Sequence, residues 1–431
     1  MKFVLVSLII SFFLITKSVN GQTLYPSSSG CVGAVYTMSN GADMNQILIN
    51  CLDVNGNLKI IDSINTNGTG VNTTNIDPLY SQGSLTVYSN YLFAVNPGSN
   101  SLSMFLINPS DGTQLTLLSV QSTYGLFPIS VTVNNMYACV LTGGSITGIR
   151  CFNYNSSGLF LISSFDRNLT SYISQTIPPN GPPQTMSEIL FSTDNLALII
   201  SVKGSNTTYP GYLLFYTLST NMTILAPYPT KITPTNGALP FSMTLVGMNG
   251  LLITDPGANG VLTLQYSSTA GMISNSMFTP INTSLASALC WSTYSPNIGN
   301  YYVIAAVTAT IVELNINMNS MTNPVQIIQY YPLPNNTGAL EATVVSLSGK
   351  DYLYILGTTS HVISGYSLNS SGNAIANSAV VVQQGDTTTI SKLAGIAAFV
   401  QTQSGTNSAM LHLSSTFSIM ITIILIFISF Q

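Results

Sequence analysis

Seven strongly apolar segments recur along this chain at intervals of about 45 to 60 residues. They begin near Val32, Tyr91, Met136, Leu196, Leu251, Tyr301 and Tyr352, and turn residues bound each one. Their β-branched and aromatic content predicts strands, and helical periodicity is hard to find. Every copy after the first is preceded by a second apolar stretch: SLTVYS, ISVTVN, EILFST, SMTLVG, ALCWST and ATVVSL. The first copy lacks this partner, and a stretch of the same kind, residues 393–399, follows the seventh copy instead. Joining that stretch to the first copy closes the array into a ring and removes the sheet edges that an open row would expose. The expected fold is all-β: a seven-bladed β-propeller whose C-terminal strand completes the N-terminal blade. One folded domain, residues 22–403, is enough.

Composition narrows the function classes. Only 5% of the residues are charged and 46% are hydrophobic, against about 25% charged in ordinary soluble domains. Coiled coils, charge-rich disordered chains and basic nucleic-acid binders all need more ionised side chains than this.

Both ends read as processing signals. Residues 1–21 carry Lys2, a 13-residue apolar stretch and a cut site before Gln22, as a secretory signal does. Residues 417–430 form a 14-residue apolar run with no basic residue after it, preceded by a short spacer and the small residues Ser408 and Ala409. This pattern matches the signal for a glycosylphosphatidylinositol anchor at 404–431, removed after about Asn407. A single-pass tail is the alternative, but the run is short for a membrane span, which needs about 20 residues. The expected location is the outer face of the plasma membrane.

Nine Asn-x-Ser/Thr sequons fit the secretory route: Asn67, Asn72, Asn155, Asn168, Asn206, Asn221, Asn282, Asn335 and Asn369. Without Lys2 and Lys17 the mature chain has 7 basic and 13 acidic residues, so attraction to nucleic acid or anionic lipid is not expected. Membrane contact is left to the lipid anchor. Cysteine spacing adds two disulfides. Cys139 and Cys151 are equidistant from the turn at 142–145, and Cys31 and Cys51 flank the turn at 40–42, so each pair faces across a hairpin. Cys290 is left as a buried free thiol.

The segment Asp77-Pro78-Leu79-Tyr80-Ser81-Gln82-Gly83-Ser84-Leu85, followed by residues 91–100 (YLFAVNPGSN) and Phe105, resembles the lactonase-type seven-bladed propellers. That family includes 6-phosphogluconolactonases and carboxymuconate cyclases, with a branch of secreted cyclase-like glycoproteins. Residues 33–40 and 127–130 fit the same group, and the resemblance covers about 30–400. It implies a site at the mouth of the central channel that uses His, Arg and Glu on an anionic lactone or diacid.

The chain departs from that pattern. His412 lies in the discarded tail and His361 in a blade hairpin, so no histidine stands where an inner strand begins. Gln82, Glu188 and Glu341 are the polar residues at those positions. Glu188 and Glu341 are the candidate catalytic carboxylates, one as general base, with Gln82 as a binding residue; a solvated channel rim is the structural alternative. Arg150 and Arg167 are the only arginines, and Arg150, just before Cys151 on a hairpin strand, reads as one half of a structural ion pair, with substrate recognition as the alternative. No metal motif or cofactor signature is present, and none is expected. The main expectation is a monomeric, anchored, non-catalytic glycoprotein whose channel face or glycans bind a surface ligand or build a coat. The alternative is an extracellular lactonase or cyclase-like enzyme at the channel mouth.

Overall fold

The computed structural model describes residues 30–401 apart from 270, 321, 335–337 and 383–391. The signal segment 1–21, the anchor signal 404–431 with Asn407, His412 and the sequon at Asn335 lie outside the described residues.

Among the described residues, seven antiparallel sheets form a closed ring: six have four strands and one has five. Each blade runs outward from an inner strand, and the inner strands are Ala394–Val400, Leu85–Tyr88, Pro128–Val133, Met186–Phe191, Met243–Val246, Leu289–Ser295 and Ala339–Leu347. These belong to blades one to seven in that order. The second strands, Gly33–Met38, Tyr91–Asn96, Tyr137–Thr142, Ala197–Val202, Gly250–Asp255, Asn300–Ala305 and Lys350–Gly357, are the recurrent apolar segments. They are apolar along their length because sheets pack on both faces, so nearly every residue is buried. Blade three takes its fifth strand from Arg167–Asn168, which pairs with Gly148–Asn155.

The ring closes as the repeat requires. Ala394–Val400 pairs antiparallel with Gly33–Met38, placing Val35 opposite Ala398 and Tyr36 opposite Ala397. The first blade is therefore assembled from both ends of the domain. Blades adhere through side chains between neighbouring sheets, with Tyr36, Phe93, Phe105 and Phe152 fully buried in the largest cluster. Among the described residues no helix is long and apolar enough to cross a membrane.

Both cysteine pairs are bonded. Cys139 and Cys151 are direct cross-strand partners with Cα atoms 4.0 Å apart. Cys31 also joins Cys51, at 5.4 Å, but not as a facing pair: the residue opposite Cys51 is Ala34. The hairpin turn is centred slightly later than its sequence suggests, so this bridge runs diagonally from the chain just before the strand. Cys290 is free and buried.

Candidate channel site

Five of the seven inner strands carry one extra residue near their start. The ladder slips between Pro128 and Ser130, Met186 and Ile189, Leu289 and Trp291, Ala339 and Ala342, and Ala394 and Ile396. Such a bulge re-aims side chains that regular pleating would send into a sheet face. Here it delivers Glu188, Cys290, Trp291 and Glu341 to the axis, where they meet residues 77–84, the connection leading into blade two.

That connection is a strap across the channel. The Asp77 carboxylate accepts the N–H groups of Leu79 and Tyr80 at 3.0 and 2.8 Å, folding the chain over on itself. The Tyr80 carbonyl accepts Lys203 Nζ at 2.5 Å. Ser81 donates its hydroxyl to Ile129 O at 2.8 Å, and its carbonyl accepts Trp291 Nε1 at 2.9 Å. Gln82 Oε1 accepts the Ser292 N–H at 3.0 Å while its amide donates to Glu188 Oε1 at 3.3 Å. The Gly83 N–H donates to Glu341 Oε1. Side chains or backbone from blades three, four, six and seven thus hold one short segment, so the strap lies over the axis and not along one wall.

The structure brings Gln82, Glu188 and Glu341 together, but the glutamates are not a solvated rim. Glu188 is 4% and Glu341 5% exposed. The inner-strand bulges and the strap enclose them. Burial pushes both carboxyls up to about 8; the Met243 N–H on Glu188 and the Gly83 N–H on Glu341 pull the other way. Burial therefore favours the protonated form of both.

Two partners at this spot carry no obvious mark in the sequence. Lys203, 1% exposed, directly follows the apolar strand Ala197–Val202. Its ammonium also donates to Met186 O at 3.0 Å and lies 4.3 Å from the Phe241 ring centre. Asp77 sits inside the family-like motif with nothing in its neighbours to single it out. Burial raises the Asp77 carboxyl and lowers the Lys203 amine, and their mutual attraction opposes both shifts. The one signal available is a charged residue closing an apolar strand, in a chain with 9 basic residues. Cys290 lies in the same neighbourhood, its thiol pushed up by burial and by the Asp77 charge.

Residues away from the channel serve the fold. Arg150 pairs with Asp166 at 3.6 Å, and Arg167 donates to Leu225 O and Ala226 O, so both arginines hold chain segments together. His361 occupies a left-handed turn between the second and third strands of blade seven. Among the described residues no cluster of His, Cys, Asp and Glu could hold a metal ion.

A cavity of about 10 Å³ is bordered by Asp77, Ser81, Ser84, Trp291 and Glu341. On the same face a cleft of about 620 Å³ opens beside Lys203 and Gly204, walled by Tyr172, Tyr209 and Tyr212.

No family profile and no curated protein matches the chain in sequence. Solved structures do match in fold. A protein from Bacteroides fragilis assigned as a 6-phosphogluconolactonase is 14% identical, covers 87% of this chain and 100% of its own, and has a TM-score of 0.63. A similarly assigned protein from Bacteroides uniformis is 15% identical over 85% of this chain and 100% of its own, at 0.64. The periplasmic gluconolactonase PpgL of Pseudomonas aeruginosa is 12% identical over 86% of this chain and 99% of its own, at 0.62. At these identities the likeness speaks to architecture alone, and by architecture this chain is a seven-bladed β-propeller similar to those of these proteins.

Proposed function

We propose that the protein opens uncharged lactone rings outside the cell, at the channel mouth beneath the strap. The observation that carries this reading is the convergence of Asp77, Lys203, Glu188 and Glu341 on one buried spot. Titratable groups so perturbed cluster at functional sites more than elsewhere. The fold shared with a periplasmic gluconolactonase supports it.

Charge selects the substrate class. With burial favouring neutral glutamates and the Asp77 charge opposing that of Lys203, the mouth has no surplus positive charge, and neither arginine reaches it. A phosphorylated or dicarboxylate lactone would find no guanidinium to receive it. A neutral sugar lactone meets no such difficulty.

The chemistry follows from Asp77. Its Oδ2 has no hydrogen-bond partner and borders a space of about 10 Å³, close to the size of one water. Asp77 takes a proton from water as the water oxygen bonds the lactone carbonyl carbon, and Lys203 stabilises the oxyanion. The ring C–O bond then breaks and its oxygen receives that proton, giving the hydroxy acid. The same space cannot admit a lactone, so binding requires the strap to shift, a gating role common for such segments.

Proton release from glucono-δ-lactone, followed by pH-stat with the purified protein, tests this. Asp77→Asn keeps the turn's hydrogen bonds and should lower the rate by at least about 100-fold; a phosphorylated lactone should react no faster than in buffer. No acceleration by the wild type sinks the enzymatic reading, and acceleration that survives Asp77→Asn sinks the role given to Asp77.

A second reading, a non-catalytic coat or binding glycoprotein, is favoured by the strap's occupation of the channel. It is also favoured by the exposure of all eight sequon asparagines among the described residues. Both readings share an outer-surface address through a lipid at Asn407. Phosphatidylinositol-specific phospholipase C on intact cells should release the protein; retention on the cells would refute the anchor alone.

A further inference from the structure

Two long connections meet on the face where the inner strands begin: residues 66–84, which end in the strap, and residues 169–185, between blades three and four. Between them lies a groove of about 510 Å³, walled by residues 72–75 on one side and by 176 and 178–180 on the other. That volume lies within the roughly 300–1,000 Å³ of small-ligand sites. Asn75 Nδ2 donates to Pro179 O at 3.1 Å, tying the walls together. Every side chain lining the groove is uncharged: amides, threonine hydroxyls and two proline rings. Amides and hydroxyls can exchange hydrogen bonds with sugar hydroxyls and an N-acetyl group, and proline rings offer apolar faces to a pyranose.

The groove contains its own attachment point. Asn72 is part of the wall, is exposed, and begins the sequon Asn72-Thr73-Thr74. Other sequon asparagines are arranged differently. The Oδ1 atoms of Asn155, Asn168, Asn206 and Asn282 accept the N–H two residues on, at 2.7 to 3.0 Å, in self-contained turns. At Asn72 the support comes from its neighbour Val71, whose N–H donates to Asn40 Oδ1 at 3.3 Å. The backbone is thereby fixed from behind while Asn72 itself forms part of the groove wall.

We propose that Asn72 carries an N-linked glycan whose first sugars occupy this groove and latch the strap to residues 176–180. Its transfer forms a bond from Asn72 Nδ2 to C1 of N-acetylglucosamine. The lipid diphosphate of the oligosaccharide donor leaves, and the amide gives up one proton. The sugar then bridges the two loops, reinforcing the Asn75–Pro179 hydrogen bond, and it does so only a few residues before Asp77. The latch does not rest on the proposed hydrolysis, but it would set how readily the strap opens.

Peptide mass spectrometry of the full glycosylated protein reads occupancy, and amide hydrogen exchange reads the latch. Asn72 should be occupied. Asn72→Gln and Thr74→Val both abolish transfer and should speed exchange across 72–83 and 174–180 by about tenfold. Thr74→Ser preserves the sequon and should exchange as the wild type does, as should Asn282→Gln, which removes a glycan elsewhere. If the sequon-less variants are not secreted, peptide N-glycosidase on the folded wild type must raise exchange in the same two segments. An unmodified Asn72, unchanged exchange after glycan loss, or equal loosening in Asn282→Gln overturns the proposal. Lactone turnover plays no part in the readout, so the two proposals fail separately.

Discussion

Nearly half of the acidic side chains in this protein serve the interior. Of 13 acidic residues, Asp77, Glu188, Asp255, Glu313, Glu341 and Asp351 are buried, including every glutamate. All but Asp77, whose hydrogen bonds close a local turn, stitch separate chain segments together. Asp255 accepts four backbone N–H groups at 2.6 to 3.0 Å. Glu313 joins blades six and seven through Asn300, Tyr331 and the Gly372 N–H. Glu188 and Glu341 give this arrangement a pH dependence. Their folded carboxyls titrate at about 8 against 4.5 ordinarily. Between those values the folded chain holds two protons that the unfolded chain has lost. The stabilisation they confer is full below the unfolded value and is lost as pH rises toward 8. Each group contributes a slope of at most about 1.4 kcal/mol per pH unit. Thermal melts should therefore show a higher midpoint at pH 5 than at pH 8. Glu188→Gln and Glu341→Gln should each flatten that fall, since the amide cannot ionise. A wild-type midpoint that rises between pH 5 and 8 would contradict the assignment.

At the scale of strands, the inner-strand bulge is the device on which the channel depends. In the closing strand it falls at Gly395, which has φ +69°. A Cβ there would lie 2.7 Å from Leu85 Cβ and from Ser84 Oγ, the first residue after the strap and the strap's last. Gly247 has a similar φ of +59°, but a Cβ at that position would meet nothing within 4 Å. Alanine at Gly247 should cost about 1 kcal/mol for backbone strain alone. At Gly395 the clash adds about 1–3 kcal/mol more, because Leu85 is backbone-paired and cannot retreat. Equal losses in denaturant melts would show that the bulge does not press on the strap. The same device marks the limit of what sequence reveals. Strand positions, the seven-fold repeat and the closing strand at 394–400 are legible, since apolar runs and turn residues encode them directly. So is Cys139–Cys151, which sits symmetrically about its turn. The diagonal placement of Cys31–Cys51 is not, because a wide turn hides its centre. Nor is the burial of Glu188 and Glu341. A one-residue bulge leaves little local signature, and nothing in the strap's composition announces that it crosses the ring.

For the whole molecule, burying six carboxylates leaves a surface with very few charges. The exterior instead offers large apolar groups, with Tyr209, Tyr228, Ile224, Met248 and Val307 among the most exposed. Low net charge and exposed apolar area both promote association. The exposed asparagines at 67, 72, 155, 168, 206, 221, 282 and 369 are spread over the chain and suit a sugar coat that takes the place of charge. Two enzymes separate the contributions. An endoglycosidase that leaves one N-acetylglucosamine per site removes bulk and hydration without altering charge. Peptide N-glycosidase removes the whole glycan but converts each attachment asparagine to aspartate, adding up to nine negative charges. If glycans keep this charge-poor propeller dispersed, endoglycosidase-treated protein should self-associate in light scattering at concentrations where untreated protein is monomeric. The amidase product should associate less than the endoglycosidase product despite carrying less sugar, and added salt should erase its advantage by screening the new carboxylates. Endoglycosidase-treated protein as monodisperse as the untreated form would mean that the polar uncharged surface suffices by itself.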